Sequence, residues 1–252
     1  MRKVKGSLRH LRREVAPPYW PIHKKEFVWT IKPSPGPHPL HRCIPLAIIL
    51  RDILGYAKTL REARRIIGRG VIKVDGRVRR DYKYPVGLMD VLEITETEEY
   101  YRIVSHPYRI LYPVPIDPSE AKYKLCRIEG KTAVKHGHIQ LHFHDGRNHI
   151  IRVNNPMEPV EDVYKTFDSV LIKIPKQEII EHIKFEEGVL GLVIDGRNAG
   201  RLGKVLSITQ VFRKREAIVT LKDEEGEEEF RTILEYVFPV GRDKPLITVK
   251  AS

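Results

Sequence analysis

The stretch His41–Ile94 reads HRCIPLAIILRDILGYAKTLREARRIIGRGVIKVDGRVRRDYKYPVGLMDVLEI, and the rest of the chain is organised around it. Pro45 suits a first helical turn, where its missing N–H costs nothing. Leu46, Ile49, Leu50, Ile53 and Leu54 recur at i, i+3, i+4, i+7 and i+8, which predicts one apolar helix face, and Gly55 is a natural stop. Thr59 and Glu62 form a T-x-x-E capping box that starts a second helix. Its inward face is Leu60, Ala63, Ile66 and Ile67; its outward face is Arg61, Arg64 and Arg65; Gly68 and Gly70 end it. Val71, Val74 and Val78 then flank Asp75-Gly76, a hairpin turn signal. Arg69, Lys73, Arg77, Arg79, Arg80 and Lys83 extend the positive strip along and past that turn. Apolar residues gather on one side and arginines on the other. Like charges so clustered repel one another unless an anion neutralises them.

Read in order, Leu54-Gly55, the capped helix from Thr59 to Ile67, Gly70-x-Val-x-Val-Asp75-Gly76 and Pro85-x-Gly-x-x-Asp90-Val resemble the S-four-type RNA-binding domain. In that domain two helices and a small sheet clamp structured RNA. A generic helix pair with a solvated basic face would share the charge but not this ordered set of motifs.

Charge places the interaction at one end. The chain carries +12 overall, yet residues 1–92 hold 21 Lys+Arg against 7 Asp+Glu, and the remaining 160 residues are close to balance. A chain so polarised is addressed to a polyanion at its basic end. A membrane surface would want an amphipathic helix with a free apolar face, and none is left over. No stretch reaches the length needed to span a bilayer, and the basic start has no apolar run behind it, so no secretory leader is expected. Cys43 and Cys126 stand alone with no C-x-x-C, which excludes a disulfide framework and a cysteine-based zinc site and fits a reducing cytosol.

Residues 1–40 read as a basic, proline-rich tail, with nine Lys+Arg, two acids and seven prolines. Prolines forbid long helices and favour extended chain. Too few residues remain for a core, so the tail is expected to gain order only on a partner. Tyr19, Trp20 and Trp29 either stack on bases or pin the tail to its own domain. Residues 95–175 read as all β, from the alternating runs Tyr101–Ile103, Tyr123–Leu125, Ile139–Phe143 and Ile150–Val153. An acidic patch, Glu93 to Glu99, marks the expected boundary before them. His142 and His144 share a strand spacing that could hold a metal, but the five-histidine run KHGHIQLHFHDGRNH, residues 135–149, brackets the Asp145-Gly146 turn with no acidic second shell apparent, and no metal is expected.

The stretch FEEGVLGLVIDGRNAGRLGKVLSI, residues 185–208, resembles a KOW motif, with Arg197, Asn198, Arg201 and Lys204 lining its loop. Strands near 215–222 and 229–238 would complete a small barrel. DEEGEEE, residues 223–229, would be a hairpin tip that faces solvent away from phosphate.

The order of tail, S-four-type module, β region and KOW element is similar to that of the archaeal/eukaryotic small-subunit ribosomal protein of the four-e family. The tail motifs K-x-x-x-L-R-x-L-x-R, A-P-x-x-W-P and P-S-P-G-P-H-P-L carry much of this resemblance, with VDGxVRxDYxYPVGLMDV. An end soon after the barrel points to an archaeal member. The resemblance implies an α+β, multidomain chain: tail 1–40, two-helix-plus-sheet module 41–94, central β domain 95–175 and SH3-like KOW barrel 176–252. It implies a cytoplasmic structural constituent of the small ribosomal subunit whose partners are ribosomal RNA and neighbouring ribosomal proteins. Neither catalysis, cofactor nor small-molecule substrate is implied. The expected RNA contacts are Arg2, Lys3, Lys5, Arg9, Arg12, Arg13, Lys24 and Lys25 in the tail and Arg61, Arg64, Arg65, Arg69, Lys73, Arg77, Arg79, Arg80 and Lys83 in the module. Arg197, Arg201 and Lys204 are a second group, whose loop meets either RNA or protein. The rival classes are an RNA-modifying enzyme and an RNA-binding transcription or stress factor, both of which use such modules. No G-x-x-x-x-G-K-[ST], G-x-S-x-G or H-E-x-x-H string is present to supply an enzyme's chemistry.

Overall fold

The computed structural model describes residues 9–107, 110–155, 160–210, 214–223 and 228–249. Arg2, Lys3, Lys5 and the tip of the acidic hairpin, residues 224–227, lie outside them. Among the described residues no helix is long and apolar enough to cross a membrane.

The tail departs from expectation, because residues 9–42 fold onto the body. Strands β1 (Leu11–Arg12) and β2 (Trp29–Thr30) pair with each other. Leu11, Trp20 and Ile31 enter the main core. The Trp20 indole Nε1 and the Tyr19 hydroxyl both donate to the Cys43 carbonyl, at 2.8 and 3.0 Å. The tail lacks a core of its own, as its composition requires, but it shares the neighbour's.

Next come β3 (Cys43–Pro45), α1 (Leu46–Ile48) and a π-helical turn, Ile49–Ile53. Pro45 does not open the helix as the sequence suggested; it ends the strand that precedes it, opposite Pro85. Leu46 to Leu50 are all buried, so this segment is apolar all round rather than on one face. Helix α2 (Leu60–Arg69) forms as read, with both halves of the Thr59–Glu62 capping box made and Gly70 closing it at φ 82°. Strands β4 (Ile72–Val74) and β5 (Arg77–Val78) follow, and Asp75 and Gly76 turn between them at φ 51° and 71°. Two successive positive φ values are what a two-residue hairpin turn demands.

Strands β6 (Pro85–Gly87), β7 (Val91–Ile94), β8 (Glu99–Val104) and β9 (Tyr112–Pro115) complete the first unit. Its sheet runs β5-β4-β7-β8-β9. The acidic patch after Glu93 is therefore the turn of the β7–β8 hairpin, with Ile94 opposite Glu99, and the sheet continues across the expected boundary at 94. Acids at 96 to 99 suit an exposed turn as well as they suit a linker, and sequence alone does not separate the two.

The central sheet has β10 (Tyr123–Ala133), β11 (Ile139–Phe143), β12 (Asn148–Ile151), β13 (Ser169–Lys173) and β14 (Glu178–Ile183) in the order β12-β11-β10-β13-β14. The β13–β14 hairpin spans the expected division at 175. The third sheet has β15 (Leu190–Val193), β16 (Leu202–Thr209), β17 (Ile218–Asp223), β18 (Glu229–Ile233) and β19 (Val237–Gly241) in the order β18-β17-β16-β15-β19. The chain is thus mostly β with few helices. One core joins the tail, the first sheet and the third, through residues such as Trp20, Leu92, Leu192 and Phe238.

Candidate nucleic-acid interface

Helix α2 presents its arginines because its packing leaves no alternative. Ala63 and Ile67 are buried, and Arg61, Arg64, Arg65 and Arg69, on the other sides of a 3.6-residue period, are exposed. Arg64 lies 4.1 Å over the Tyr82 ring and also donates to its hydroxyl. Arg77 and Arg80 are exposed, and Arg79 lies 4.4 Å over Tyr84. Lys83 sits 5.6 Å from the Tyr82 ring. Among the described residues none of these eight cations forms an ion pair with a carboxylate. Lys73 differs: its ammonium donates to Glu93 at 2.8 Å across the β4–β7 pair.

The tail cations divide in the same way. Arg9, Arg12, Lys24 and Lys25 are exposed. Arg13, expected on RNA, is 5% exposed and holds the tail together instead. Its guanidinium donates to the His23 and Trp29 carbonyls at 2.7 and 3.3 Å and pairs with Glu26 at 3.2 Å. A cation so engaged is not available to a phosphate. The aromatic residues split too, since Tyr19 and Trp20 pin the tail whereas Trp29 is 54% exposed.

In the third sheet Arg197 is exposed and Lys204 lies 3.7 Å from Asp243. Arg201 is claimed by the acidic hairpin, pairing with Asp223 at 2.6 Å and Glu228 at 3.3 Å, and it lies 4.5 Å over Phe230. The hydrogen bond it donates to Asp223 raises its already high pKa further. Arg201, in the loop expected to meet RNA or protein, is thus engaged within the chain.

A second set of cations went unread in the sequence. Lys124 on β10 is fully buried, and its ammonium reaches Asp75 at 2.8 Å, Asp90 at 2.5 Å and Asp145 at 3.0 Å. Arg147 also reaches Asp75 and Asp145, at 2.5 and 3.2 Å. His38 Nε2 lies 3.1 Å from both Asp90 oxygens, and its ring stands where a Cβ on Gly87 would be, so only glycine fits there. Burial alone would lower the Lys124 pKa, but the three carboxylates raise it well above the ordinary lysine value. Burial would likewise raise Asp90 and Asp145, yet Lys124 leads the neighbours that hold both far below the usual carboxylate range. On the same strand Arg127 donates to the Glu235 and Val237 carbonyls of the third sheet at 2.8 and 2.9 Å. Lys124 to Ile128 are buried without alternation because β10 is covered on both faces. The signal was an unbroken inward run, K-L-C-R-I, whose two cations read as outward residues.

The two strand histidines are separately engaged. His142 bonds Thr132 and Asn148 at 2.9 and 2.7 Å. His144 sits between the Leu88 carbonyl, 3.1 Å from Nε2, and the Arg127 N–H, 3.2 Å from Nδ1. Nε2 must then carry the proton and Nδ1 must accept. A second proton would point at a donor, and burial, against the opposing pull of Asp145, lowers the His144 pKa to about 4.

The chain is similar to known proteins along nearly all of its length. Residues 5–41 match the RS4NT (NUC023) domain, residues 44–92 the S4 domain and residues 97–179 the model described as Ribosomal family S4e. The small ribosomal subunit protein eS4 of Staphylothermus marinus is 57% identical over 242 residues, covering 96% of each chain. That of Ignicoccus hospitalis is 53% identical over 248 residues, covering 98% of this chain and 97% of its own. The crystal structure of the 30S ribosomal protein S4e from Thermoplasma acidophilum superposes with a TM-score of 0.66 at 30% identity, over 80% of this chain and 96% of that one. With three matched models in order along the chain and relatives more than half identical over nearly its whole length, this protein belongs to the ribosomal S4e family.

Proposed function

We propose that this protein is a structural constituent of the small ribosomal subunit, binding ribosomal RNA without catalysing any reaction. The observation that carries the reading is the set of eight cations without carboxylate partners on α2, the β4–β5 hairpin and the segment to Lys83. Phosphate contacts dominate affinity for RNA, and structured RNA is read largely by shape and 2′-hydroxyls. A face of fixed, unneutralised arginines suits that task. The exposed tail residues Arg9, Arg12, Lys24 and Lys25 extend it. Relatives that bear the name small ribosomal subunit protein eS4 support the same role.

The third sheet is a KOW-type, SH3-like element in this reading. Arg197 and Lys204 supply its secondary contacts, and the acidic base of the β17–β18 hairpin turns away from phosphate. Neighbouring ribosomal proteins are the further partners. Cosedimentation in a sucrose gradient tests the proposal: stable recovery with the small subunit is expected, and recovery only in the soluble fraction would sink it.

A further inference from the structure

The tail and helix α2 enclose a cleft of about 290 Å³ between them. Half of its twelve lining residues are lysine or arginine and none is acidic; Arg13 and Arg51 are already paired with Glu26 and Asp52, whereas Arg64 and Lys83 have no carboxylate partner among the described residues. Two large aromatic side chains, Trp29 from β2 and Tyr82 from the segment after β5, also line it. Trp29 is 54% exposed, although an indole is among the most costly side chains to leave in water. Tyr82 is already capped by the Arg64 guanidinium, 4.1 Å from its ring centre. Its volume is near the lower limit of small-molecule sites, roughly 300–1,000 Å³. It is far too narrow for a duplex.

We propose that this cleft takes one unpaired nucleotide of the bound RNA, with its base stacked on Trp29 and its phosphate held by Arg64 and Lys83. This rests on the RNA-binding reading above and names the feature of the RNA that the site selects. Bases within an A-form helix have both faces covered by their neighbours. An extruded base offers a free face, and proteins stack such bases on aromatic rings and arginine planes. The cleft supplies both surfaces side by side with cations for the attached phosphate. An apolar peptide would cover Arg64 and Lys83 without supplying an anion, and an acidic one would leave the indole unused.

The test uses the full chain with two probes, a short blunt RNA duplex and the same duplex carrying one bulged adenosine. Trp20 is 3% exposed, so a change in tryptophan emission on binding reports chiefly on Trp29. The bulged duplex is expected to quench that emission and to bind more tightly than the blunt one. Trp29→Ala should weaken binding of the bulged duplex roughly 5- to 100-fold, leave the blunt duplex unchanged and leave the salt dependence of both unchanged, because no charge is lost. Trp29→Phe, which keeps a ring, should retain most of the preference. Equal binding of the two duplexes by the wild type, or an unchanged affinity of Trp29→Ala for the bulged one, would overturn the proposal while leaving RNA binding intact. Failure of the wild type to bind either duplex would instead remove the RNA-binding reading and this inference with it.

Discussion

The basic residues around α2 and those at the seam between the sheets are chemically alike and do opposite work. Arg61, Arg65 and Arg69 are exposed and have no carboxylate partner among the described residues, whereas Lys124 lies within 3.0 Å of three carboxylates and Arg127 donates to two carbonyls. Water screens charge on the helix and makes its repulsion tolerable, so the charge remains free for an anion. At the seam there is no water to screen, and each cation must be satisfied by the protein itself. Residue type therefore does not say whether a cation is free for an anion; the nearest acid does. Arg201 lies between the two regions, in a basic loop by sequence yet neutralised by Asp223 and Glu228.

The sharpest break in this comparison is at the seam. Lys124→Met should cost about 3–5 kcal/mol in stability, because it leaves buried carboxylates without their cation. Denaturant unfolding measures it, and a loss under ~1 kcal/mol would mean that Arg147 alone holds the cluster.

The seam should also carry a pH signature. Its neutral His144 has a folded pKa of about 4 against an ordinary value near 6.5. The unfolded chain binds the extra proton first, so stability is complete above about pH 6.5 and is lost as pH falls toward about 4. The loss is about 3 kcal/mol at most. His144→Gln should flatten this slope, and an equal slope in both proteins would place the titration elsewhere. Asp90 and Asp145 add their own loss only at still lower pH, since both are held below the usual carboxylate range.

On the helix the expected change is in binding rather than stability. Arg64→Glu with Arg65→Glu should reduce RNA affinity, and the slope of log affinity against log salt should shrink by roughly 0.7–0.9 per lost contact. Exposed positions change stability by within about 0.5 kcal/mol each, and reversing Arg65 relieves its i, i+4 repulsion with Arg61. Normal melting with unchanged binding would take α2 out of the interface. The smallest effect is expected at Arg201→Ala, with about 0–1 kcal/mol of lost stability and unchanged RNA affinity. A marked fall in affinity would return that loop to the RNA.

The local rules of the module were legible because they depend on near neighbours. The Thr59–Glu62 box, the Asp75-Gly76 turn and the outward arginines of α2 all lie within a few residues of their causes. What stayed hidden depends on distant partners. Asp75 read as a turn residue, and nothing near it in sequence reveals a lysine 49 positions away. The tail read as unsupported because its support, the Cys43 carbonyl and the core beyond it, belongs to another segment. Arg13 and Arg201 read as free cations because Glu26 and Asp223 become their neighbours only on folding. The run from Leu46 to Leu54 read as one regular helix face, and nothing in that spacing distinguishes the π-helical turn Ile49–Ile53 from an α-helical one.

The turn between β4 and β5 has one more consequence. Its Asp75 carboxylate faces inward to Lys124, while Arg77 beside it faces solvent. The hairpin that displays surface charge is therefore anchored at its turn. Spacing between Arg77 and the α2 arginines is set by the interior and not by whatever binds. Such a face works as a ruler rather than a brush: it favours RNA whose backbone already has the matching contour, and it loses little freedom when that RNA arrives.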